Sequence, residues 1–493
     1  MLSIPNHSRI LVIGGGPGGS TAATLLARQG FEVTLFEKAK FPRYHIGESL
    51  LPSILQIVDL LGAREKMDAS GFQVKHGAFL EWGAESWPLN FGELAGSCTY
   101  AFQVDRSKFD LMMLEHARSQ GVKVFEEFEI EEIIFDDSGR PRCAEWKVVS
   151  GGNGNGSGGT RGQISFDFLI DASGRNSLMA NRYLKNRRYH KIFQNVAIWS
   201  YWKKANRLAT GREGDIAVNS IPEGWLWAIP LEDDVMSVGV VMHKDALAAK
   251  KPFQLEDIYM QAIESAPLIK EILEPAEQTA EIFSEADYSY ASEEFCGPGY
   301  FLVGDAACFL DPLLSSGVHL ATFSAMLAAA SISSILCDEV REEEAISFFH
   351  KSYRQAYLRF LVFLSAFYDV NRGKESYFWE AQRLTEGEIS SSDLKLAFLK
   401  LVTGLKDLSD AREDTHRVVL EEMTRRIDEN LHFRKNKETL ASLAGESKEK
   451  AEANARFFSS VEGLFSLSSD EAIDGLYVTT EPRLHLARTR TGD

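Results

Sequence analysis

The chain has 493 residues, of which 44% are hydrophobic and 25% charged, as in a globular protein with a large core. Acidic residues outnumber basic ones by 71 to 53 and give a formal net charge of -18. This balance argues against a nucleic-acid partner, because binding phosphates needs a basic surface. The five cysteines are odd in number and form no CxxC pair, so neither a disulfide framework nor a metal site is expected.

The first forty residues predict a strand, a glycine turn, a helix and a second strand. RILVI and FEVTLFEK have strand character, and STAATLLARQG between them has helical character. In the turn, Gly14, Gly16 and Gly19 follow the GxGxxG spacing, and Glu37 ends the second strand. The glycines permit a tight turn and close approach of a pyrophosphate to a helix N-terminus, and the carboxylate accepts from ribose hydroxyls. The unit predicts a dinucleotide site, with NAD and FAD both open.

No charged region, apolar region and cleavage site precede the first strand, so no signal peptide is predicted and a cytoplasmic location is expected. Residues 317–337, GVHLATFSAMLAAASISSILC, are long enough to suggest a membrane span. They are rich in alanine and serine and contain His319. We therefore predict a buried helix and no membrane span.

The remaining segments predict an α/β fold with a helical end. Residues 180–300 alternate short strand-like runs with turns, and the pattern turns helical after about residue 317. The glycine-rich residues 151–162 form a flexible connection. We predict a core over 1–380, with cofactor-binding segments interleaved with a substrate-side sheet at about 180–300. A helical C-terminal region over 381–493 is expected to cover the substrate side and to end in a partly flexible tail.

The stretch GWLWAIP, residues 224–230, raises the question of what its aromatic face contacts. Side chains two apart on a strand point to the same face, so Trp225, Trp227 and Ile229 line one surface, and Pro230 closes the run. Two tryptophans on one strand face usually belong to a core. The alternative is that they wall a cavity.

A second motif, which contains a glycine-aspartate pair, favours FAD over NAD. In YFLVGDAACFLDPLLSSGVHLA (300–321) a predicted strand ends at Gly304-Asp305 and a helix begins near Ser316. This resembles the second dinucleotide fingerprint of FAD-dependent aromatic hydroxylases, in which the aspartate holds the ribityl chain. DASGR (171–175) and QVDRSKFD (103–110) resemble further elements of that superfamily. The resemblance implies a Rossmann-like FAD-binding domain of the aromatic hydroxylase type, with FAD bound by Gly14, Gly16, Gly19, Glu37, Arg43, Arg106, Asp305 and Gly317.

Four motifs together resemble those of flavin-dependent halogenases. GWLWAIP contains the Trp-x-Trp-x-Ile-Pro signature of that family in full. The other three matches are FPRYHIGESLLP (41–52), GFQVKHGAFLEWG (71–83) and Phe309-x-x-Pro312-x-x-Ser315-x-Gly317. Lys75 aligns with the essential lysine of the family. The resemblance runs from about residue 8 to about residue 380 and looks closest to the branch that acts on phenols and pyrroles.

The resemblance implies a role for each motif. Reduced FAD and O₂ form a C4a-hydroperoxide, which oxidises chloride or bromide to hypohalous acid. Backbone N–H groups around Ser316 and Gly317 would bind the halide. Lys75 would hold the oxidant, with Glu48 as the candidate base or orienting carboxylate. The walls of the passage between flavin and substrate would be Trp225, Trp227, Ile229, Pro230, Phe309, Pro312 and Ser315.

The same resemblance implies partners. FADH₂ would come from a separate NAD(P)H:flavin reductase, and the aromatic substrate would be free or presented on an acyl or peptidyl carrier protein. The helix predicted at 353–368 is more apolar than a surface helix requires, so it either covers the substrate cavity, docks a carrier or is a plain packed helix.

One position departs from the tryptophan-specific members of the family. They carry a glutamate just before the paired Ser/Thr of the halide loop, where this chain has Leu314. Free indole is therefore a poor substrate prediction, whereas phenols and pyrroles activate their own rings. The alternatives are a single-component FAD monooxygenase, an isoprenoid-type reductase and a catalytically silent FAD-binding protein.

Overall fold

The structure is a computed structural model that describes residues 3–93, 99–149, 160–190, 193–250, 252–286, 289–368, 402–404, 407 and 475–488. Its α-helices are α1 (Pro17–Ala27), α2 (Ser53–Leu61), α3 (Arg64–Asp68), α4 (Arg106–Ser119), α5 (Lys244–Ala249), α6 (Leu255–Glu264), α7 (Pro267–Leu273), α8 (Ser316–Leu336) and α9 (Glu342–Phe367). Short 3₁₀ turns lie at Phe91–Glu93, Gly174–Asn176, Gly304–Ala306 and Pro312–Leu314, and a π-helical segment at Leu178–Leu184.

The strands fall into two large sheets and three small ones. Those of the first half are β1 (His7–Ile13), β2 (Val33–Glu37), β3 (Gln73–Lys75), β4 (Gly77–Trp82), β5 (Glu85–Asn90), β6 (Ala101–Gln103), β7 (Lys123–Glu126), β8 (Phe128–Phe135), β9 (Pro141–Val148), β10 (Arg161–Asp171) and β11 (Arg187–Tyr189). Those of the second half are β12 (Asn195–Lys203), β13 (Ile216–Ile221), β14 (Gly224–Pro230), β15 (Val235–His243), β16 (Glu277–Gln278), β17 (Phe283–Ala286), β18 (Tyr290–Ser292), β19 (Cys296–Gly297), β20 (Tyr300–Leu302), β21 (Cys308–Phe309), β22 (Leu476–Thr479) and β23 (His485–Arg488).

The first sheet carries the predicted dinucleotide turn. Its strand order is β19-β20-β10-β1-β2-β7, and β20, β10, β1, β2 and β7 run parallel to one another. Every residue of β2 is buried, as expected for a parallel strand that is covered on both faces. Helices α4 and α8 both pack against α1, which opens at the glycine turn. The predicted α/β class is confirmed.

The second sheet has the strand order β16-β12-β15-β14-β13-β4-β5, with β17 paired to β12. Its strands β12 to β17 lie between residues 195 and 286, and the hairpin β4–β5 comes from much earlier in the chain. This hairpin joins the sheet because β4 pairs in parallel with β13. The sequence did not predict the addition, since pairing between strands more than 130 residues apart leaves no local signal.

The two faces of β14 enter two different cores. Trp225, Trp227 and Ile229 belong to the large core shared with the first sheet. Leu226 and Ala228, on the opposite face, pack with residues of α6 and α7 in a separate hydrophobic cluster. The period-2 alternation of GWLWAIP therefore places both tryptophans on the face that meets the first sheet.

A small sheet brings together segments that are distant in sequence. β3 pairs with β6, and the Leu50 N–H donates to the Phe102 carbonyl of β6 at 2.9 Å. Ser49 forms a bridge with Gln103 of the same strand. Lys75, the last residue of β3, is thereby held beside residues 48–50.

Helix α8 is the segment that resembles a membrane span. Among the described residues it is the one helix long and apolar enough to cross a membrane, and 94% of its apolar window is buried inside the protein. It packs against α1, α2 and α9. The prediction of a buried helix is confirmed. Helix α9 covers the segment in which a helix was predicted at 353–368 and ends at Phe367.

The end of the chain differs from the predicted helical C-terminal region. Residues 476–479 and 485–488 form an antiparallel hairpin, β22–β23, that packs against α8. Its sequence LYVTTEPRLHLAR alternates apolar and polar side chains, and Leu476, Val478, Leu484 and Leu486 are buried. The helical prediction is wrong for these residues. Most other residues of 381–493 lie outside the described part of the chain.

Candidate active site

A cavity of about 1030 Å³ opens between the first sheet, the N-terminus of α8 and the aromatic face of the second sheet. It exceeds the volume of most small-ligand pockets and has room for a dinucleotide together with a second molecule. The predicted residues that line it are Gly14, Gly16, Glu37, Arg43, Glu48, Arg106, Trp225, Trp227, Ile229, Asp305, Phe309, Pro312, Ser315 and Gly317. Gly19, Lys75, Pro230 and Ser316 lie outside this lining.

The three glycines of the turn have separate structural reasons. Gly14 has a φ of +102°, and a Cβ there would overlap the Ala172 carbonyl oxygen. A Cβ on Gly19 would overlap the Gly14 carbonyl oxygen, so Gly19 permits close packing of helix on strand. Gly16 caps α1 and faces the cavity, where a Cβ would stand 3.4 Å from Arg43 Nη2. Backbone N–H groups at this helix N-terminus can donate hydrogen bonds to an anion.

Polar side chains around this turn fit the ribose and phosphates of FAD. Glu37 accepts from the Gly15 and Ala39 N–H groups at 2.7 and 2.8 Å and lines the cavity. Arg43 Nη1 is buried without a hydrogen-bond partner among the described residues, although it lies 3.4 Å from Asp110 Oδ2. Burial raises the pKa of Asp305 to about 6, against the opposing charge of Arg106. A cationic donor and two carboxylates are thus available to the cofactor.

Arg106 is held mainly by protein groups. Its Nε and Nη2 donate to the two carboxylate oxygens of Asp110 at 2.8 and 3.0 Å. Its Nη1 donates to the carbonyls of Ile46 and Gly47 at 2.9 and 3.2 Å. The side chain therefore fixes the backbone of residues 46–47, which also lines the cavity. The sequence placed Arg106 near the flavin; the structure shows that it also shapes this segment.

The opposite wall is aromatic. The ring centroids of Trp225 and Trp227 lie 5.8 Å apart, and Trp199 and Phe283 stack at 5.8 Å beside them. All four line the cavity. The sequence analysis missed Trp199 and Phe283. The signal for Trp199 was the alternation in AIWSYWK, which places it on the same strand face as Tyr201.

A hydrogen-bond network connects this wall to the loop before α8. Trp225 Nε1 donates to the Tyr368 hydroxyl at 2.9 Å, and that hydroxyl donates to Asp311 Oδ2 at 2.9 Å. Asn195 donates to the same carboxylate oxygen at 3.1 Å. Asp311 Oδ1 in turn accepts from the Leu313 N–H at 3.0 Å. The Trp-x-Trp strand and the loop are therefore positioned as a unit, through residues that the sequence did not single out.

The loop itself ends in a left-handed residue. Ser315 has a φ of +54° and precedes the first turn of α8, a helix of 21 residues whose N–H groups at Ser316 and Gly317 have no intrahelical partner by position. A Cβ on Gly317 would stand 3.0 Å from the Phe309 ring. Ser316 is buried and its side chain does not line the cavity. Leu314 packs against the hydrophobic core instead of lining the cavity.

Lys75 lies directly behind the cavity wall. It is 2% exposed, and its ammonium donates to Ser49 Oγ at 2.8 Å and to the Leu50 carbonyl at 3.2 Å. Burial lowers the pKa of Lys75 to about 7, against the opposing charge of Asp215. Ser49 lines the cavity and separates Lys75 from it.

Glu48 is a buried carboxyl that faces the cavity. It is 3% exposed, and its Oε2 has no hydrogen-bond partner among the described residues. Its Oε1 accepts from the Tyr201 hydroxyl at 2.8 Å. Burial raises the pKa of Glu48 to about 7, with the hydroxyls of Ser237 and Tyr201 opposing the rise. Ser49 thus follows Glu48 in sequence and accepts from Lys75, and burial moves the pKa of both Lys75 and Glu48 toward 7.

Comparison with known proteins identifies the class of enzyme. Residues 9–99 and 93–402 match the family described as tryptophan halogenase. The chain is 45% identical over 509 residues to tryptophan 2-halogenase of Chondromyces crocatus, covering 99% of this chain and 95% of the relative. It is 39% identical to the flavin-dependent halogenase armH1 of Armillaria mellea, over 76% of this chain and 74% of the relative.

Solved structures agree. The myxobacterial chondrochloren halogenase CndH is 34% identical with a TM-score of 0.70, over 95% of this chain and 99% of that one. The flavin-dependent brominase Bmp2 is 26% identical with a TM-score of 0.71, over 85% of this chain and all of that one. The chain therefore belongs to the tryptophan halogenase family. It is a flavin-dependent halogenase, which confirms the family predicted from the motifs and not the monooxygenase, reductase or silent-protein alternatives.

Proposed function

We propose that the enzyme chlorinates or brominates an electron-rich aromatic ring, a phenol or a pyrrole, with an oxidant held by Lys75. The observation that carries this proposal is the lysine itself, which is buried, has a pKa that burial lowers to about 7, and donates to one hydroxyl and one carbonyl of the described residues beside the Phe91 ring. A buried ammonium with so few partners is costly to keep. Its retention is explained if the group is needed as an amine or as a donor to an oxidant.

The cofactor and the chain divide the chemistry. Bound FADH₂, with O₂ and a halide, supplies the electrophilic halogen as hypohalous acid. The cofactor is bound and oriented by residues that line the cavity, namely Gly14, Gly16, Glu37, Arg43, Arg106 and Asp305. The N–H groups at Ser316 and Gly317 hold the halide, and the tryptophan wall excludes bulk water. Glu48 accepts the proton that the ring loses on substitution.

Two observations bear on the substrate. Position 314 is a leucine that packs against the core, and a leucine offers no carboxylate to a ring in the cavity. This favours phenols and pyrroles. The relative at 45% identity is named tryptophan 2-halogenase, which favours an indole instead. Position 2 of an indole is a carbon of its pyrrole ring, adjacent to the nitrogen. A pyrrole-type ring is thus compatible with both observations.

A panel of substrates tests this choice. Purified protein, a generic flavin reductase, FAD, NADH and bromide or chloride are incubated with phenols, pyrroles and tryptophan, each free and carrier-bound. Mass spectrometry is expected to detect one halogen on a phenol or pyrrole. Halogenation of tryptophan alone would overturn the phenol or pyrrole assignment. A product found only with carrier-bound substrates would identify the carrier as a partner.

The role of Lys75 has its own test. Lys75→Ala is expected to bind FAD and to oxidise FADH₂ at normal rates, yet to lower halogenation at least about 100-fold, because the oxidant is formed but not held. Lys75→Arg should fail as well, since a guanidinium stays charged and presents its donors differently. Lys123→Ala, which removes an exposed lysine paired with Glu32, is the control. Near-normal product from Lys75→Ala would overturn the proposed role.

A further inference from the structure

An unbroken chain of side-chain hydrogen bonds runs from the cavity mouth to Glu48. Trp199 Nε1 donates to the Tyr44 hydroxyl at 2.8 Å, Tyr44 and Tyr201 share a hydrogen bond of 2.9 Å, and Tyr201 donates to Glu48 Oε1 at 2.8 Å. Tyr44 is 52% exposed, whereas Glu48 is 3% exposed. The chain therefore links a half-exposed tyrosine of the cavity wall to a buried carboxyl in two hydroxyl steps.

The direction of this chain follows from its two ends. The indole N–H of Trp199 can only donate, so the Tyr44 oxygen accepts from it. The carboxylate of Glu48 accepts from Tyr201, which uses the single hydroxyl proton of Tyr201. Tyr44 must then be the donor to Tyr201. With Glu48 ionised, every hydroxyl proton in the chain points inward, and a shift of each by one position protonates Glu48.

Halogenation needs a proton to be delivered into the cavity. Given the proposed function, on which this inference rests, one turnover is FADH₂ + O₂ + X⁻ + ArH + H⁺ → FAD + ArX + 2 H₂O. FADH₂ gives two electrons, and the formation of the carbon–halogen bond from ArH and X⁻ gives two more, which together reduce O₂ to two waters. The four hydrogens of those waters come from FADH₂, the ring and one solvent proton. Each turnover therefore takes up a proton from outside the cavity.

We propose that Tyr44 and Tyr201 form the proton-uptake path of the enzyme and deliver protons to Glu48, a residue of the cavity wall. Tyr201 relays by exchange and does not ionise, because burial raises its pKa well above the usual value for tyrosine. The ring of Phe283 stacks on the ring of Tyr44, with the two centroids 5.2 Å apart, and covers this part of the path.

The groups around Glu48 differ as routes by which a proton could reach its carboxyl through hydrogen bonds. The charged groups that face it are Asp105 and Arg106 of the α4 N-terminus, and Arg106 is already bonded to Asp110. Ser237 of β15 and Tyr201 of β12 supply hydroxyls. Lys75 donates to Ser49 and the Leu50 carbonyl and is influenced by the charge of Asp215. Of these groups, Tyr201 continues by a hydrogen bond to Tyr44, a residue that is half-exposed.

The first test is Tyr201→Phe, measured as halogenated product per FADH₂ oxidised from pH 6 to pH 9. The competing reaction, FADH₂ + O₂ → FAD + H₂O₂, needs no added proton, so the variant should still oxidise flavin while releasing peroxide. Product yield is expected to fall about tenfold at pH 8.5 and less than threefold at pH 6, where protons are abundant. Tyr44→Phe should act in the same direction but more weakly, because water can replace an exposed hydroxyl.

The control is Tyr259→Phe. This buried tyrosine also accepts from a tryptophan N–H, that of Trp202 at 2.9 Å, but it lies outside the cavity lining. Its loss should leave the pH profile unchanged. A Tyr201→Phe profile that matches that of Tyr259→Phe would overturn the proton path. If Tyr201→Phe behaved normally while Lys75→Ala lost product, the proposed function would stand and the path alone would fail.

A second measurement needs no turnover. In flavin-free protein, infrared titration of the Glu48 carboxyl, assigned with Glu48→Gln, reports its protonation directly. Tyr201→Phe removes a donor to the ionised form and should move the Glu48 titration at least about half a unit upward. An unchanged titration would show that Tyr201 does not contact Glu48 in solution and would overturn the path.

Discussion

The ammonium of Lys75 is costly to the fold because it is buried, and the same burial suits it to the role proposed for it. Burial lowers its pKa from 10.5 to about 7, so the folded protein releases a proton that the unfolded chain keeps between those values. Wild-type stability therefore rises with pH from about 7 to about 10.5, and the full penalty applies below pH 7. At about 1.4 kcal/mol per pKa unit, the penalty at pH 6 is on the order of 5 kcal/mol.

Lys75→Met removes this penalty while keeping a similar volume. The variant is expected to gain stability relative to wild type at pH 6, and the difference should shrink by about half or more by pH 9. Denaturation with urea at the two pH values measures the difference. Lys123→Met, at an exposed lysine, should show no such trend. A difference that stays constant with pH would mean that Lys75 remains charged in the fold.

At this scale the sequence located residues but not their partners. Lys75, Glu48 and Arg106 were found because they lie within motifs, and motifs are contiguous. Ser49 and Asp110 lie in the quoted motifs as well, but the side-chain geometry is what shows that they hold Lys75 and Arg106. Tyr201, which holds Glu48, lies in another segment. A hydrogen bond between residues 153 positions apart, such as that of Tyr201 to Glu48, has no local pattern from which it could be predicted.

At the scale of elements, the tryptophan wall depends on a glycine in the neighbouring strand. Gly239 of β15 pairs with both Trp227 and Trp199, and a Cβ there would overlap the Trp227 indole and the Trp199 Cβ. Gly239→Ala should therefore displace Trp227 and destabilise the protein by about 1–3 kcal/mol, the usual cost of overpacking. Urea denaturation measures the loss. Adding Trp227→Phe should recover part of it, and failure to recover would place the strain elsewhere.

A second prediction concerns the link between β14 and the loop before α8. Tyr368→Phe removes both the acceptor of Trp225 and a donor to Asp311, whose pKa burial has already raised to about 6. The loop that presents Ser316 and Gly317 should loosen. The KM for chloride is expected to rise about three- to tenfold with little change in FAD affinity. Steady-state kinetics at varied chloride concentration tests this. An unchanged KM for chloride would show that the network does not affect halide binding.

The elements themselves were predictable where their periodicity was strong. The alternation of GWLWAIP predicted a strand with one aromatic face, and the apolar run after Gly317 predicted a buried helix, as found in β14 and α8. The hairpin β22–β23 was missed although its alternation is equally regular. Its flanks are charged and rich in serine, and their composition outweighed two four-residue strands.

On the scale of the whole molecule, the two sheets enclose the cavity and α8 supports it from behind. The N-terminus of α8 faces the cavity, and its last turns are covered by the hairpin β22–β23. The Leu486 N–H donates to Ser334 Oγ at 2.7 Å, and Arg483 donates to Ser333 Oγ at 2.8 Å. The hairpin thus covers one face of a helix apolar enough to resemble a membrane span.

Truncation after residue 474 tests the importance of this cover. Removing the hairpin exposes the C-terminal half of α8 and four buried aliphatic contacts, each worth roughly 1.5–3 kcal/mol before ordering costs. The melting temperature should fall by roughly 5 °C or more, with a greater tendency to aggregate. Truncation after residue 488, which keeps the hairpin, is the control. Because α8 connects the hairpin to the halide loop, FAD affinity and the KM for chloride should worsen only in the shorter chain; identical melting of the two chains would show that α8 is stable without its cover.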